Sequence, residues 1–141
     1  MPIESLHRRW ALAWLGLTAA LALHVADEAL TGFLPLYNEV VSTARESYPW
    51  LPFPVFTFDG WLTMLVVAVI ALAAFTLPAL RGRRWLRPIA YFYAVLMIAN
   101  GIGHLAASAH FEMWAPGTTS APLLLLAGVL LMRETRRAAK L

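Results

Sequence analysis

The chain contains no cysteine, which excludes a disulfide framework and a thiolate metal site, so any metal must be held by imidazole, carboxylate or amide groups. Charge is scarce as well: charged residues make up 13% of the 141, too few to cover the surface of a soluble domain. There is no internal repeat and no low-complexity segment. The basic residues form no extended patch. They fall in short clusters beside apolar runs, so the net charge of +3 points to membrane topology and anionic headgroups, with no nucleic-acid partner expected.

What the chain has in abundance is apolar sequence. It is 60% hydrophobic, with a mean hydropathy of +0.66. This composition predicts an all-α integral membrane protein, a four-helix bundle in one transmembrane domain over residues 1–141. A bilayer core of about 30 Å needs about 20 helical residues. The helices are expected near 10–30, 60–80, 87–109 and 118–133, with an outer loop over 31–59. Arg8 and Arg9 precede the first apolar run as in a signal peptide, but Asp27 and Glu28 make a poor cleavage neighbourhood, so a retained helix is expected. The last helix should begin at 118–120, where a hydroxyl can cap it and Pro122 fits the first turn.

Arginines set the expected orientation. Arg8 and Arg9 lie before the first helix, Arg81, Arg83, Arg84 and Arg87 between the second and third, and Arg133, Arg136, Arg137 and Lys140 at and after the end of the fourth. The other two loops hold only Arg45, which predicts both termini on the cytoplasmic side. The protein is accordingly expected to be an integral membrane protein with its polar clusters toward the outer side. The outer loop is too long for a plain connector. Residues 36–46 suit an interfacial helix, and three prolines between Tyr48 and Phe56 enforce an extended stretch. Trp50, Phe53, Phe56, Phe58 and Trp61 suit an interfacial belt or a lid over an outward-facing site, and Tyr91 and Tyr93 suit a belt at the inner side. Asp59 fits an N-cap or a first-turn acid.

Two polar clusters interrupt the apolar runs. Ionisable groups at membrane depth are costly and rarely persist without a partner, a ligand or a function. In His24-Val25-Ala26-Asp27-Glu28 the imidazole and both carboxylates project from an arc of roughly 100 degrees on a helix. Asn100 and His104, four apart, share a face of the third predicted helix. At 1.5 Å per residue, His24 lies about 21 Å beyond Trp10 and His104 about 24 Å beyond Pro88. Both helices run outward, so the clusters fall at one level and are expected to meet. Ala99, Gly103 and Ala107 form a small-residue row suited to close helix approach.

Two imidazoles and a carboxylate are ligands for zinc or iron. His24, Glu28 and His104 are therefore the expected metal ligands. Asp27 and Glu28 are the expected proton-transferring, catalytic carboxylates, and Asn100, Ser108, His110 and Thr118 are expected around them as partners of the ligands or of substrate. The Pro116-Gly117 turn reads as a connector.

These same residues carry a resemblance. His24 to Glu28, Asn100-Gly101-Ile102-Gly103-His104 and Pro116-Gly117-Thr118-Thr119 resemble the bacterial membrane proteins named for an HXXEE motif, across the whole four-helix layout. Asp27 stands where that pattern has its first Glu. The resemblance implies that His24, Glu28, Asn100 and His104 belong to one site; it names no substrate.

The leading expectation is an intramembrane metal-dependent enzyme, of hydrolase or oxidase/desaturase type, acting on a lipid or isoprenoid-like substrate at the outer leaflet. One alternative is a metal-free acid/base isomerase or cyclase of a hydrophobic substrate, by analogy with four-helix sterol isomerases. Another is a non-enzymatic ion-binding or partner-binding membrane subunit.

Overall fold

The computed structural model describes residues 3–140. They form six helices and, among the described residues, no strand: α1 (Ile3–Thr31), α2 (Phe33–Ser47), α3 (Phe58–Ala74), α4 (Thr76–Leu80), α5 (Leu86–His110) and α6 (Ala121–Ala138). Three segments are long and apolar enough to cross a membrane: Glu4–Thr31, Phe58–Leu80 and Leu86–His110. In α6 only residues 121–132 are free of charge, about 18 Å of helix.

Helices α1 and α6 both continue past the hydropathy boundaries, α1 seven residues earlier than Trp10 and α6 five residues beyond Arg133. The added turns are polar and hold each other. Arg9 pairs with Glu134 at 3.3 Å, Arg137 pairs with the same carboxylate at 2.7 Å, and the Trp10 indole donates to Thr135 Oγ1 at 3.0 Å. Arg87 donates to the carbonyl of Ala138. This is the arginine-rich end of the bundle; the His24–Glu28 motif lies at the other.

The expected 60–80 helix is divided at Phe75. Pro78 supplies no N–H to Ala74 and its ring crowds that carbonyl, so the ladder breaks one turn upstream of the proline. The break is used: the freed carbonyl region accepts the Trp14 indole at Leu72 O, 2.7 Å away, and Trp14 packs on Phe75 and Tyr93. Tyr93 is therefore a core residue, with its hydroxyl toward Thr18, and not part of an interfacial belt. The N-cap of α3 is Thr57, whose hydroxyl accepts from Gly60 N; Asp59 is its first-turn acid.

A helix does form over the expected 36–46 stretch and is longer, running as α2. The proline-rich residues 48–57 fold back on it, because the Asn38 amide exchanges two hydrogen bonds with the Phe56 backbone and Tyr37 donates to Pro54 O. Trp50, Phe53 and Phe58 are exposed as a belt requires, whereas Trp61 is buried against Phe33.

Close helix approach does not use the Ala99-Gly103-Ala107 row. Gly103 faces open space, and Ala99 is exposed. Helix α5 packs instead on α6, which also packs on α1, so α6 joins the two motif-bearing helices. The contact is made through Gly101 and Gly128: a Cβ on Gly101 would lie 3.0 Å from the Ala121 carbonyl, and one on Gly128 3.2 Å from the Ala94 carbonyl. Gly101→Val should overpack this seam and destabilise the protein by about 1–3 kcal/mol. Gly103→Ala should be neutral or slightly stabilising, since it meets nothing and restricts only the unfolded chain. Thermal unfolding of both variants in detergent checks the pair.

Candidate metal centre

Helix α1 places His24 and Glu28 one turn apart, and α5 presents His104 to them. All three are buried, with exposures of 0%, 5% and 8%. Glu28 Oε1 lies 3.5 Å from His24 Nε2 and 3.1 Å from His104 Nε2. The two rings meet edge to face, centroids 4.6 Å apart. One ligand atom from each residue falls within 4.8 Å of the other two. Equal depth on α1 and α5, inferred from residue counting, corresponds here to direct contact.

The far side of each imidazole is fixed. His104 Nδ1 is 2.6 Å from the Pro116 carbonyl, which can only accept, so Nδ1 carries the hydrogen. His24 Nδ1 is 2.7 Å from Ser120 Oγ. That hydroxyl donates to Asp27 Oδ2, also at 2.7 Å, leaving a lone pair to accept from His24 Nδ1. Both rings thus donate from Nδ1 and turn Nε2 toward the Glu28 carboxylate. Asn100 Oδ1 is 3.1 Å from His24 Nε2; its amide can face the ring as donor or acceptor by rotation.

The turn before α6 is part of this arrangement, beyond its role as a connector. Gly117 has φ +82, open to glycine and strained for other residues, and a Cβ there would lie 2.6 Å from the His104 ring and 3.0 Å from His24. A relay seats the turn on α5: the Ala115 N–H donates to Ser108 Oγ, Ser108 and Thr118 share a hydrogen bond of 2.6 Å, and Thr118 donates to the His104 carbonyl. Ser108 and Thr118 therefore act by holding Pro116 O against His104.

Asp27 stands outside the Glu28 contact. Its Oδ2 accepts from both the backbone N–H and the hydroxyl of Ser120, so a carboxylate of α1 serves the N-terminus of α6. The expected hydroxyl cap of that helix is absent, because Ser120 directs its side chain to Asp27 and His24. His110 is exposed and packs on Phe111, away from the cluster, as its six-residue offset from His104 dictates. Phe33, at the start of α2, covers His104 with ring centroids 5.4 Å apart, so the segment between α1 and α3 contributes a wall to the site.

The motif residues and the turn that packs on them lie within a match to the family described as protein of unknown function with HXXEE motif, spanning residues 14–132. The chain belongs to the HXXEE-motif family. No curated protein and no solved structure matches it. In this HXXEE chain the second acidic position, Glu28, meets both imidazoles, while the first, occupied by Asp27, reaches α6.

Ser120, Gly117 and the Pro116 carbonyl are the site components that sequence reasoning missed. A serine three residues after a Pro-Gly pair and next to a helix start carried a signal for capping, but none for its partners on α1. Ser120→Ala removes the acceptor for His24 Nδ1 and should cost about 1–3 kcal/mol. Gly117→Ala should cost at least as much. Thr119→Ala, which loses an exposed bond to Trp114, should stay within about 0.5 kcal/mol. Denaturant or thermal titration in micelles would rank the three.

Proposed function

We propose that this protein is a small intramembrane metal-dependent enzyme in which His24, Glu28 and His104 hold a zinc or iron ion beside a lipid or isoprenoid-like substrate. One observation carries the reading: two imidazoles, both committed as donors at Nδ1, aim Nε2 at one buried carboxylate. Lone pairs and a carboxylate repel unless positive charge lies among them. A tetrahedral zinc with bonds of about 2.0–2.1 Å separates its ligand atoms by about 3.3 Å, and the two spacings to Glu28 are 3.1 and 3.5 Å.

Two imidazoles and one carboxylate form the donor set of hydrolytic zinc sites and of mononuclear non-haem iron sites alike, each leaving a position for water or substrate. A metal so bound supplies Lewis-acid activation of water or a redox centre. The chain's own residues do the rest. Ser120 and Pro116 O hold the ring tautomers, Asp27 orients Ser120 and links through it to His24, and Asn100 orients a ligand or the substrate.

In this reading α1, α3 with α4, α5 and a short α6 form four spans, the arginine-rich end faces the cytoplasm, and the metal centre lies in the outer half of a bacterial cytoplasmic membrane. The arginines of α6 reach the headgroups to complete its span. A proton in place of the metal defines a second reading, an acid/base isomerase or cyclase, favoured by the apolar cavity that opens onto Glu28. A transport path is disfavoured, because toward the arginine-rich end the buried polar side chains are bonded locally: Thr18 with Tyr93, Thr135 with Trp10, and Glu134 with Arg9 and Arg137.

Elemental analysis of protein purified in mild detergent should find about one zinc or iron per chain. Glu28→Gln and His104→Ala should each abolish stoichiometric loading. Ser120→Ala should weaken metal affinity by about 10–100-fold, as loss of an outer-shell partner does elsewhere. Wild-type protein free of transition metal after purification and after reconstitution with zinc or iron rejects the metal reading in favour of the proton.

A further inference from the structure

A cavity of about 360 Å³ runs from the metal centre along α5 toward the arginine-rich end. It exists because α5 packs on α6 while α3 packs on α1, leaving a slot between α3 and α5. Polar groups are confined to one end, where His24, Glu28 and Asn100 line it. Below them the walls are Leu65, Ala68 and Leu72 of α3 and Ile89, Phe92 and Leu96 of α5. Tyr93 also borders the slot but turns its hydroxyl to Thr18. Phe92 and Leu96 are 68% and 47% exposed, so the slot opens sideways, toward hydrocarbon in a bilayer.

Its dimensions select an occupant. Ile89 and Asn100 are about 16 Å apart along α5 at 1.5 Å per residue, close to the roughly 15 Å of hydrocarbon in one leaflet. Over that length the slot stays open on the side of Phe92 and Leu96. An extended hydrocarbon chain can follow that length and conform to the side chains along the wall; a rigid fused ring system cannot conform in this way. Polarity at one end and apolar walls elsewhere also match a single-tailed amphiphile, with its head at the cluster and its tail along α5 toward the arginine-rich end.

We propose that the slot binds a single unbranched hydrocarbon chain whose oxygen-bearing head lies at the His24–Glu28–His104 cluster, a proposal that rests on the metal-centre reading and names its substrate class. The chain enters sideways between α3 and α5. Ala68, midway along the wall, sets the room available to it.

The full chain is reconstituted with zinc in phosphatidylcholine nanodiscs, irradiated with palmitic acid bearing a diazirine near its methyl end, and its adducts are mapped by mass spectrometry. Adducts are expected to concentrate at Leu72 and Ile89, and Ala68→Trp should lower them about tenfold by filling the slot. Ala68→Leu, a milder filler, gives the same direction if the tryptophan variant does not fold. A diazirine sterol should show no such focus. Adducts spread evenly over the exposed α3 residues Val66, Val67 and Ile70, adducts unchanged in the filled variants, or an equal focus with the sterol would overturn the proposal. Zinc content of the same samples separates the two readings. Focused adducts on protein that takes no zinc retain the slot and remove the metal centre, and diffuse adducts on zinc-loaded protein do the reverse.

Discussion

The burial of the Glu28 carboxylate is the constraint on which the rest of the structure depends. An ionised carboxylate in a low-dielectric interior costs several kcal/mol even after relaxation, and breaking its pairing strands the charge. Glu28 is one of two carboxylates buried among the described residues, and the other, Glu134, sits between two arginines near a helix end. Glu28 has no arginine or lysine beside it. Its compensation comes from two imidazoles, groups that are neutral or charged according to what lies between them. A packing device would be better served by an arginine, whose charge is permanent.

From that requirement the surrounding parts follow in order. Two rings must approach one oxygen, so neither can be free to rotate; each is pinned through Nδ1, one by a carbonyl and one by a hydroxyl. Both pins come from the segment just before α6, and the segment must therefore come within contact distance of α1 and α5 together. That demands a residue without a side chain at 117 and a φ that glycine adopts freely. The segment in turn needs α6 to be seated between the two motif helices, which the Gly101 and Gly128 seam allows. Helix packing, turn conformation and ring tautomer are thus successive answers to one buried charge.

Much of this was legible in the sequence because periodicity and depth are local properties. Four-residue spacing put His24 with Glu28 and Asn100 with His104, and counting helical rise put both pairs at one level. Pairwise partners across the fold were not legible. Nothing in the sequence distinguishes a serine that caps its own helix from Ser120, which serves His24 and Asp27 on another. The small row at Ala99, Gly103 and Ala107 and the pair Gly101 and Gly128 are equivalent by composition; only the direction in which α6 lies decides that the second pair is the seam. Hydropathy likewise ends α1 and α6 at their polar turns, although Arg9, Glu134 and Arg137 hold those turns helical against one another.

The same packing arrangement accounts for the slot beside the centre. Had α5 packed on α3, the slot between them would be filled and the cluster would be reached only beside Phe33. Because α6 holds α5 instead, α3 is attached mainly through α1, with Trp61 against Phe33 of α2, and only 6% of its most apolar stretch is buried. A helix so lightly packed gives up apolar contact that a structural bundle would use. The contact forgone lies beside the His24–Glu28–His104 cluster, and the two features together make a chamber with an ionisable end and an apolar wall. Stability alone requires neither feature, and a site that works on a lipid chain requires both.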